Sequence, residues 1–516
     1  MAYIRRLLFA SIVIISALAV VLGRIISALT PLRSDRALYM YIGQAWHSGD
    51  IPYLDIWESK PPGMFALHAG LAEVSLGNVF GLAVVEGVFV GLAILGVFLL
   101  ARRLGLGTEI SLTALLAAAF ILSIQMYSER GGFTEHFLVA PAVFSMLAFC
   151  AAQAKQRHRY LLLAGVLAGV AFLFKPVGLA PLLAQTAFVS LGVLRGRLSP
   201  RTALHAIASL WGGLALSLIP LSIYFAYHGA LGEALYASVL YNLSYAGGGH
   251  YSMLSTAWNL VWALQPTSAL MALAGLGLVL SIPHIWRDGG MRAPDDRRPL
   301  ERNDYLPLFS LWFLADVAGV LAGGRGYPHY FLALAGSVPI LAALGHAYLT
   351  EGFRVETSEM RRWIMRLAVP SMVLAPLATT LALDVAVARQ VRLDEAHHTA
   401  ERAAEIVSAE SRPGDTMFTV GYLPHMYLLA GLRSPLRYPD VFHVQDFPEA
   451  RRIIGEEILR ELRQELPTFI VDNGPPSLWH EQPALKAFYD EVMSLVKRSC
   501  PLLTEQGDYR VFDCRR

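Results

Sequence analysis

Charge is scarce in this 516-residue chain: 16% of its residues are Asp, Glu, Lys or Arg, against 55% hydrophobic. Soluble domains carry about 25% charged residues, so the deficit points to a chain built for lipid. The net charge is only +2, and no basic cluster is interleaved with aromatics. Nucleic acid therefore has no electrostatic footprint to bind. Cysteine is rarer still. Cys150, Cys500 and Cys514 are too few for a Cys-rich metal module. No His pair has zinc-site spacing, and no Gly-rich loop runs into Lys and Ser or Thr. A substrate arriving as a cytosolic nucleotide has no cradle here. Internal repeats and low-complexity runs are also missing.

Long apolar runs are plentiful. A hydrocarbon core about 30 Å thick needs roughly 20 mostly apolar residues per helix. Such runs fall near 7–29, 78–101, 109–127, 137–153, 160–174, 176–194, 203–226, 262–286, 306–323, 329–349 and 364–384. They predict a polytopic α-helical membrane protein with about 11 transmembrane helices, the fifth short enough to be partly re-entrant. The first run is longer than the apolar core of a signal peptide, so it reads as an anchor. With the N-terminus in the cytosol, the loops on that side carry 19 Lys and Arg and the opposite loops 6. The positive-inside bias then puts the 34–63 loop, and everything after residue 384, outside the cytosol.

Two domains follow: a membrane domain over 1–384 and a soluble α/β domain over 385–516. In the second, helical pattern covers 385–411, 424–430, 448–465 and 483–497. Strands are expected at 417–422 and 468–472, with two more closing the chain. The closing pair centres on Gly507, so Cys500 and Cys514 face each other across a hairpin. A disulfide there and two separate thiols both fit the sequence.

The polar stretch from Ser34 to Gly63 is the longest outer segment before the second span, and long loops are usually functional. Asp35, Tyr39, Ile42 and Trp46 recur at helical spacing, which predicts a short amphipathic helix lying flat on the membrane. Asp35, just past a span, suits a general base, although taken alone it suits a helix N-cap better. Asp55 and Glu58, three residues apart, are candidates to hold a divalent metal ion with substrate oxygens, or to meet an acceptor. Lys60, Lys175 and Arg325, with His329 and Tyr330, stand on the outer side, where cations suit an anionic headgroup. Glu135, in the second outer loop, is a further candidate to hold a metal ion or meet an acceptor. Glu86 and Asp316 lie within spans, where each requires a partner. His250 sits in a Gly-rich outer loop, and Asn242-Leu243-Ser244 is a glycosylation sequon.

The order of a span, Ser34-Asp35, Gly49, Pro52-Tyr53, Asp55 and Lys60-Pro61-Pro62-Gly63 resembles the first outer loop of GT-C type membrane glycosyltransferases. Protein O-mannosyltransferases and lipid A aminoarabinose transferases are the similar families. The likeness continues at Thr134-Glu135, Lys175-Pro176, Arg325, His329-Tyr330 and, in the tail, Gly421-Tyr422-Leu423-Pro424. The resemblance implies inverting transfer of a hexosyl or pentosyl group from a polyprenyl-phosphate donor, outside the cytosol, with 30–63 as the catalytic loop. The acceptor class it leaves open is a lipid, a glycan or a protein. It implies that Asp35 is the base, that Glu58 and Lys60 sit at the metal and the donor phosphate, and that a bacterial inner membrane is the location. Two departures stand out: Arg36 follows Asp35 where mannosyltransferases carry Glu, and Ser59 separates Glu58 from Lys60. The competing reading is a transporter or flippase of lipid-linked sugars, which would place paired charges near mid-membrane.

Overall fold

The computed structural model describes residues 2–74, 76–128, 131–155, 157–247, 258, 267–287, 291, 302–323, 326–352, 382, 385, 386, 389, 395–475, 479 and 482–515. Among these, six helices are long and apolar enough to cross a membrane: Phe9–Leu29, Val79–Arg103, Thr134–Gln153, Pro176–Leu194, Pro200–Tyr227 and Arg302–Ala322. Pro328–Ala335 and Ser337–Thr350 form a pair bent by 59°, which makes a seventh if the two are one span. Thr108–Ser123, His158–Phe174 and Ser268–Pro283 are shorter apolar helices. The apolar run at 364–384 lies outside the described residues, apart from 382. The chain is an integral membrane protein of mostly helical architecture.

The chain divides into two compact units. The first gathers Met1–Ala28, Ala83–Ile223 and Tyr251–Ala386. Within it, helices differ in how much of their surface meets protein. Thr134–Gln153 is 83% buried, and it accordingly carries polar Thr134, Glu135, His136 and Ser145. Pro200–Tyr227 is 17% buried and turns Leu204, Leu216, Ile219 and Ile223 outward. Intramembrane polar groups belong on the protein-facing surface, because lipid offers them no hydrogen bonds. Glu86 meets that requirement: Arg24 forms an ion pair with it, His136 lies 2.8 Å away, and Gly132 N–H donates to it at 2.9 Å. Asp316 accepts the Ser337 hydroxyl at 2.5 Å.

The second unit gathers Leu29–Leu82, Tyr224–His250 and Val387–Arg516. Its sheet has the order β1-β2-β4-β3, with β1 Met417–Val420, β2 Phe469–Asp472, β3 Leu502–Gln506 and β4 Tyr509–Asp513. β1 and β2 are parallel and fully buried, as their near-continuous apolar runs require. β4 runs antiparallel to β2, and β3 closes a hairpin on it. The helices Pro448–Gln464 and Pro483–Ser499 bury Ile454, Ile458 and Leu462, and Leu485, Val492 and Val496. That is the spacing of one helical stripe. Cys500 and Cys514 are joined by a disulfide.

The helix Ser34–His47 differs from the flat surface helix that its spacing predicts. Arg36 through Gly43 are all buried in protein. The run Ala37-Leu38-Tyr39-Met40-Tyr41-Ile42 is apolar all round rather than along one stripe, and such a helix sinks into a core. It packs so closely on Gly63–Glu73 that a Cβ at Gly43 would lie 2.2 Å from the His68 Cβ. On another face, Tyr41 stacks on Tyr427 of the tail at 4.5 Å.

Candidate active site

Among the described residues, two non-glycine residues have positive φ: Ser34 at 51° and Tyr53 at 74°. Both fall in the 34–63 loop. Conformations of this kind persist where surrounding structure over-determines them, and they cluster at functional sites. Ser34 turns the chain into the helix, so that Asp35 stands in its first turn. The helix begins at Arg33 with no side-chain cap, and Asp35 does not take the N-cap role that the sequence also allows. Its carboxylate instead accepts two phenols: Tyr39 on Oδ2 at 3.2 Å and Tyr422 on Oδ1 at 2.5 Å. Tyr39 is one helical turn on, a pairing that spacing alone could reveal. Tyr422 is 387 residues away.

The rest of the loop is tied to the same unit. Arg437 donates to the Tyr53 carbonyl at 2.9 Å, and the Arg437 carbonyl accepts Trp57 N–H at 2.8 Å. Asp55 is exposed and accepts Ile51 N–H at 2.6 Å, closing its own turn. Glu58 is buried and held from several sides. Ser59 donates through its N–H at 2.9 Å and its hydroxyl at 3.0 Å, and Lys60 Nζ lies 3.5 Å away. His443 Nε2 approaches the other oxygen at 3.0 Å, while its Nδ1 meets Asp446 at 2.7 Å. Tyr241 donates to the same Asp446 oxygen at 2.7 Å. Asn242 donates to the Ser59 carbonyl at 2.6 Å.

The electrostatics follow from that arrangement. Burial works against the charged forms of both Glu58 and His443, but each supplies the charge the other needs. Glu58 is held well below the usual carboxylate range by His443 and Lys60, and His443 is raised to about 10 by Glu58 and Asp446. Nearby Asp440, buried with less compensation, is pushed up to about 7. No sequence pattern announces His443. Its only trace is a His–Asp pair three residues apart in a segment otherwise read as a connection.

In the first unit, Glu135 pairs with Lys175 and also accepts the Thr134 hydroxyl at 2.9 Å. Lys175 sits in extended backbone after the helix His158–Phe174. Its ammonium lies 3.8 Å from the centroid of the Tyr330 ring. His329 stacks on Phe133 at 4.1 Å. Lys175, Glu135 and Tyr330 are thus brought together. Arg325, Arg130, Glu129 and His250 lie outside the described residues.

Among the described residues, no three His, Cys, Asp or Glu side chains form a group able to hold a metal ion. The oxygens of Glu58 are engaged by Ser59 and His443.

This is the fold of the GT-C type membrane glycosyltransferases, as the first-loop residues suggest. The chain is similar over 98% of its length to the structure of ArnT from Cupriavidus metallidurans in the apo state, with a TM-score of 0.62 and 14% identity over 97% of that chain. The same enzyme bound to undecaprenyl phosphate gives 0.59 at 14% identity, covering 98% of both chains. The arabinofuranosyltransferase AftD from mycobacteria gives 0.52 at 13% identity, with 98% of this chain matched to 40% of that one. Residues 59–225 match the family described as dolichyl-phosphate-mannose-protein mannosyltransferase. No curated protein matches the sequence.

Proposed function

We propose that this protein moves a hexosyl or pentosyl group from a polyprenyl-phosphate donor to a hydroxyl acceptor on the extracytoplasmic face of a bacterial inner membrane, with inversion. The observation that carries the reading is the Asp35 carboxylate, set just past the first span, directly after the positive-φ Ser34, and bonded to side chains rather than to a helix end. The GT-C fold, the mannosyltransferase-family match and a similar structure's bound undecaprenyl phosphate support the lipid-linked donor. The topology we assign to it has about eleven spans, the N-terminus in the cytosol, a membrane domain over 1–384 and a periplasmic tail over 385–516.

In this mechanism the acceptor hydroxyl gives its proton to Asp35 as its oxygen attacks the anomeric carbon. The bond from that carbon to the phosphate oxygen breaks, and the phosphate leaves with the electron pair. Attack from the face opposite the leaving group inverts the configuration, since no carboxylate intervenes as nucleophile. Lys60 meets the charge developing on the phosphate, and such electrostatic stabilisation is often the largest catalytic contribution. Lys175, Arg325, His329 and Tyr330 are further candidates to bind the donor phosphate. Glu58 serves this scheme by fixing Lys60. A divalent cation at Glu58 would share its oxygens with Ser59 and His443, and no step above is routed through one. Asp35→Asn in vesicles given polyprenyl-phosphate sugar tests the proposal: transfer is abolished while membrane yield is unchanged. Turnover near the wild-type rate would refute it.

A second reading, a flippase for lipid-linked sugars, draws on the buried Arg24–Glu86–His136 cluster. Wild-type protein that moves labelled lipid across vesicles without releasing or transferring sugar would favour that reading.

A further inference from the structure

We infer that Tyr422, carried by the C-terminal sheet, is a positioning residue that fixes the Asp35 carboxylate for proton abstraction, so that the tail completes the catalytic site. The inference rests on the reading of Asp35 as the base.

Tyr422 is the second residue after β1, beyond the carboxyl end of a parallel strand pair. In open α/β sheets, that edge is where ligands are met. The chain leaves the strand through Gly421 at φ +142°, where a Cβ would lie 2.4 Å from the Asn473 side-chain oxygen. Glycine alone allows that exit, and the turn delivers the tyrosine. Its ring then stacks on Phe442 at 4.4 Å, which fixes the plane of the phenol. The hydroxyl donates to Asp35 Oδ1 at 2.5 Å.

The contact is dispensable for docking. The first loop and the tail are already joined by Tyr41 on Tyr427, Arg437 on the Tyr53 carbonyl, Ser434 N–H on the Tyr41 hydroxyl at 2.8 Å and Arg433 on Asp50 at 3.3 Å. What Tyr422 adds is orientation. A free aspartate rotates about its terminal torsion, whereas a carboxylate held on Oδ1 by Tyr422 and on Oδ2 by Tyr39 has one plane. A carboxylate offers about four lone-pair positions, so two phenols leave positions open for the acceptor's proton. A base held in register matters because small misplacements of a reacting group cost rate steeply.

The test is steady-state transfer by Tyr422→Phe in vesicles, beside wild type and Asp35→Asn. We expect kcat to fall about 10- to 100-fold with KM for the polyprenyl-phosphate sugar unchanged. In the Asp35→Glu background the carboxylate is displaced by one methylene and loses register with the phenol. There Tyr422→Phe should cost about twofold or less. An equal loss in both backgrounds would mark a merely structural role and overturn the inference. Full activity of Tyr422→Phe, with Asp35→Asn inactive, would overturn it while leaving the base assignment standing. A wild type that transfers nothing, or an active Asp35→Asn, would sink both. If Tyr422→Phe gives no folded protein, Phe442→Leu decides: a several-fold lower kcat supports the inference, and an unchanged one refutes it.

Discussion

The imidazole of His443 stands between two carboxylates, 3.0 Å from Glu58 and 2.7 Å from Asp446. It ties Glu58 of the 34–63 loop to Asp446, which follows β1 by more than twenty positions. Since it holds Glu58, and Glu58 holds Lys60, the protonation of this ring bears on the stability of the whole loop.

His443 is raised from 6.5 to about 10, so its contribution is complete below about pH 6.5 and is lost as pH rises toward 10. Glu58 is lowered, so its contribution is present above its ordinary value of 4.5 and is lost as pH falls below it. The melting temperature of detergent-solubilised wild type should therefore exceed that of His443→Gln most between pH 5 and 6. The gap should close steadily toward pH 10. A gap independent of pH over that range would contradict the charged pair.

Lys175 and Glu135 compensate one another in a poorly solvated setting, with side chains 17% and 1% exposed. Lys175→Met leaves Glu135 buried without its cation, which for buried pairs costs roughly 3–5 kcal/mol. Adding Glu135→Gln should recover most of the loss. Thermal unfolding of the single and double variants measures both, and additive losses would show that the pair is not coupled.

The sequon asparagine is already occupied. The Asn242 amide donates to the Ser59, Ala237 and Ser238 carbonyls at 2.6, 2.9 and 3.2 Å. In a host that glycosylates such sites, mass spectrometry should find Asn242 unmodified. Asn242→Ala should lower stability by about 1–3 kcal/mol, because carbonyls around the loop lose their donor. A glycan at this position would disprove the packing.

The disulfide closes a short loop, with Cys500 and Cys514 separated by 14 positions. Replacing both by Ser should cost about 3 kcal/mol through greater freedom of the unfolded tail. The loss should appear as protease sensitivity of the closing hairpin, with the membrane helices unaffected. An unchanged digestion pattern would argue against the bridge.

The sequence by itself determined what depends on neighbours along the chain. The apolar runs marked the membrane helices because lipid demands about 20 apolar residues in a row. The continuous Phe469-Ile470-Val471 and Met417-Phe418 runs marked buried strands, and the Gly507 turn placed two cysteines within reach. Asp35 stood out because a carboxylate follows a span. Tertiary structure decided what each polar group does. Asp35 as a helix cap stayed open until its carboxylate took Tyr422, 387 residues away, as a partner. The helix Ser34–His47, amphipathic by spacing, became a core element because Gly63–Glu73 and the tail cover different faces of it. His443 had no local signal, since its charge is set by Glu58 and Asp446 rather than by its own sequence context. Local pattern encodes burial and period, which act between residues a few positions apart. Hydrogen-bond and charge partners are chosen in three dimensions, and their separation along the chain leaves no periodic trace.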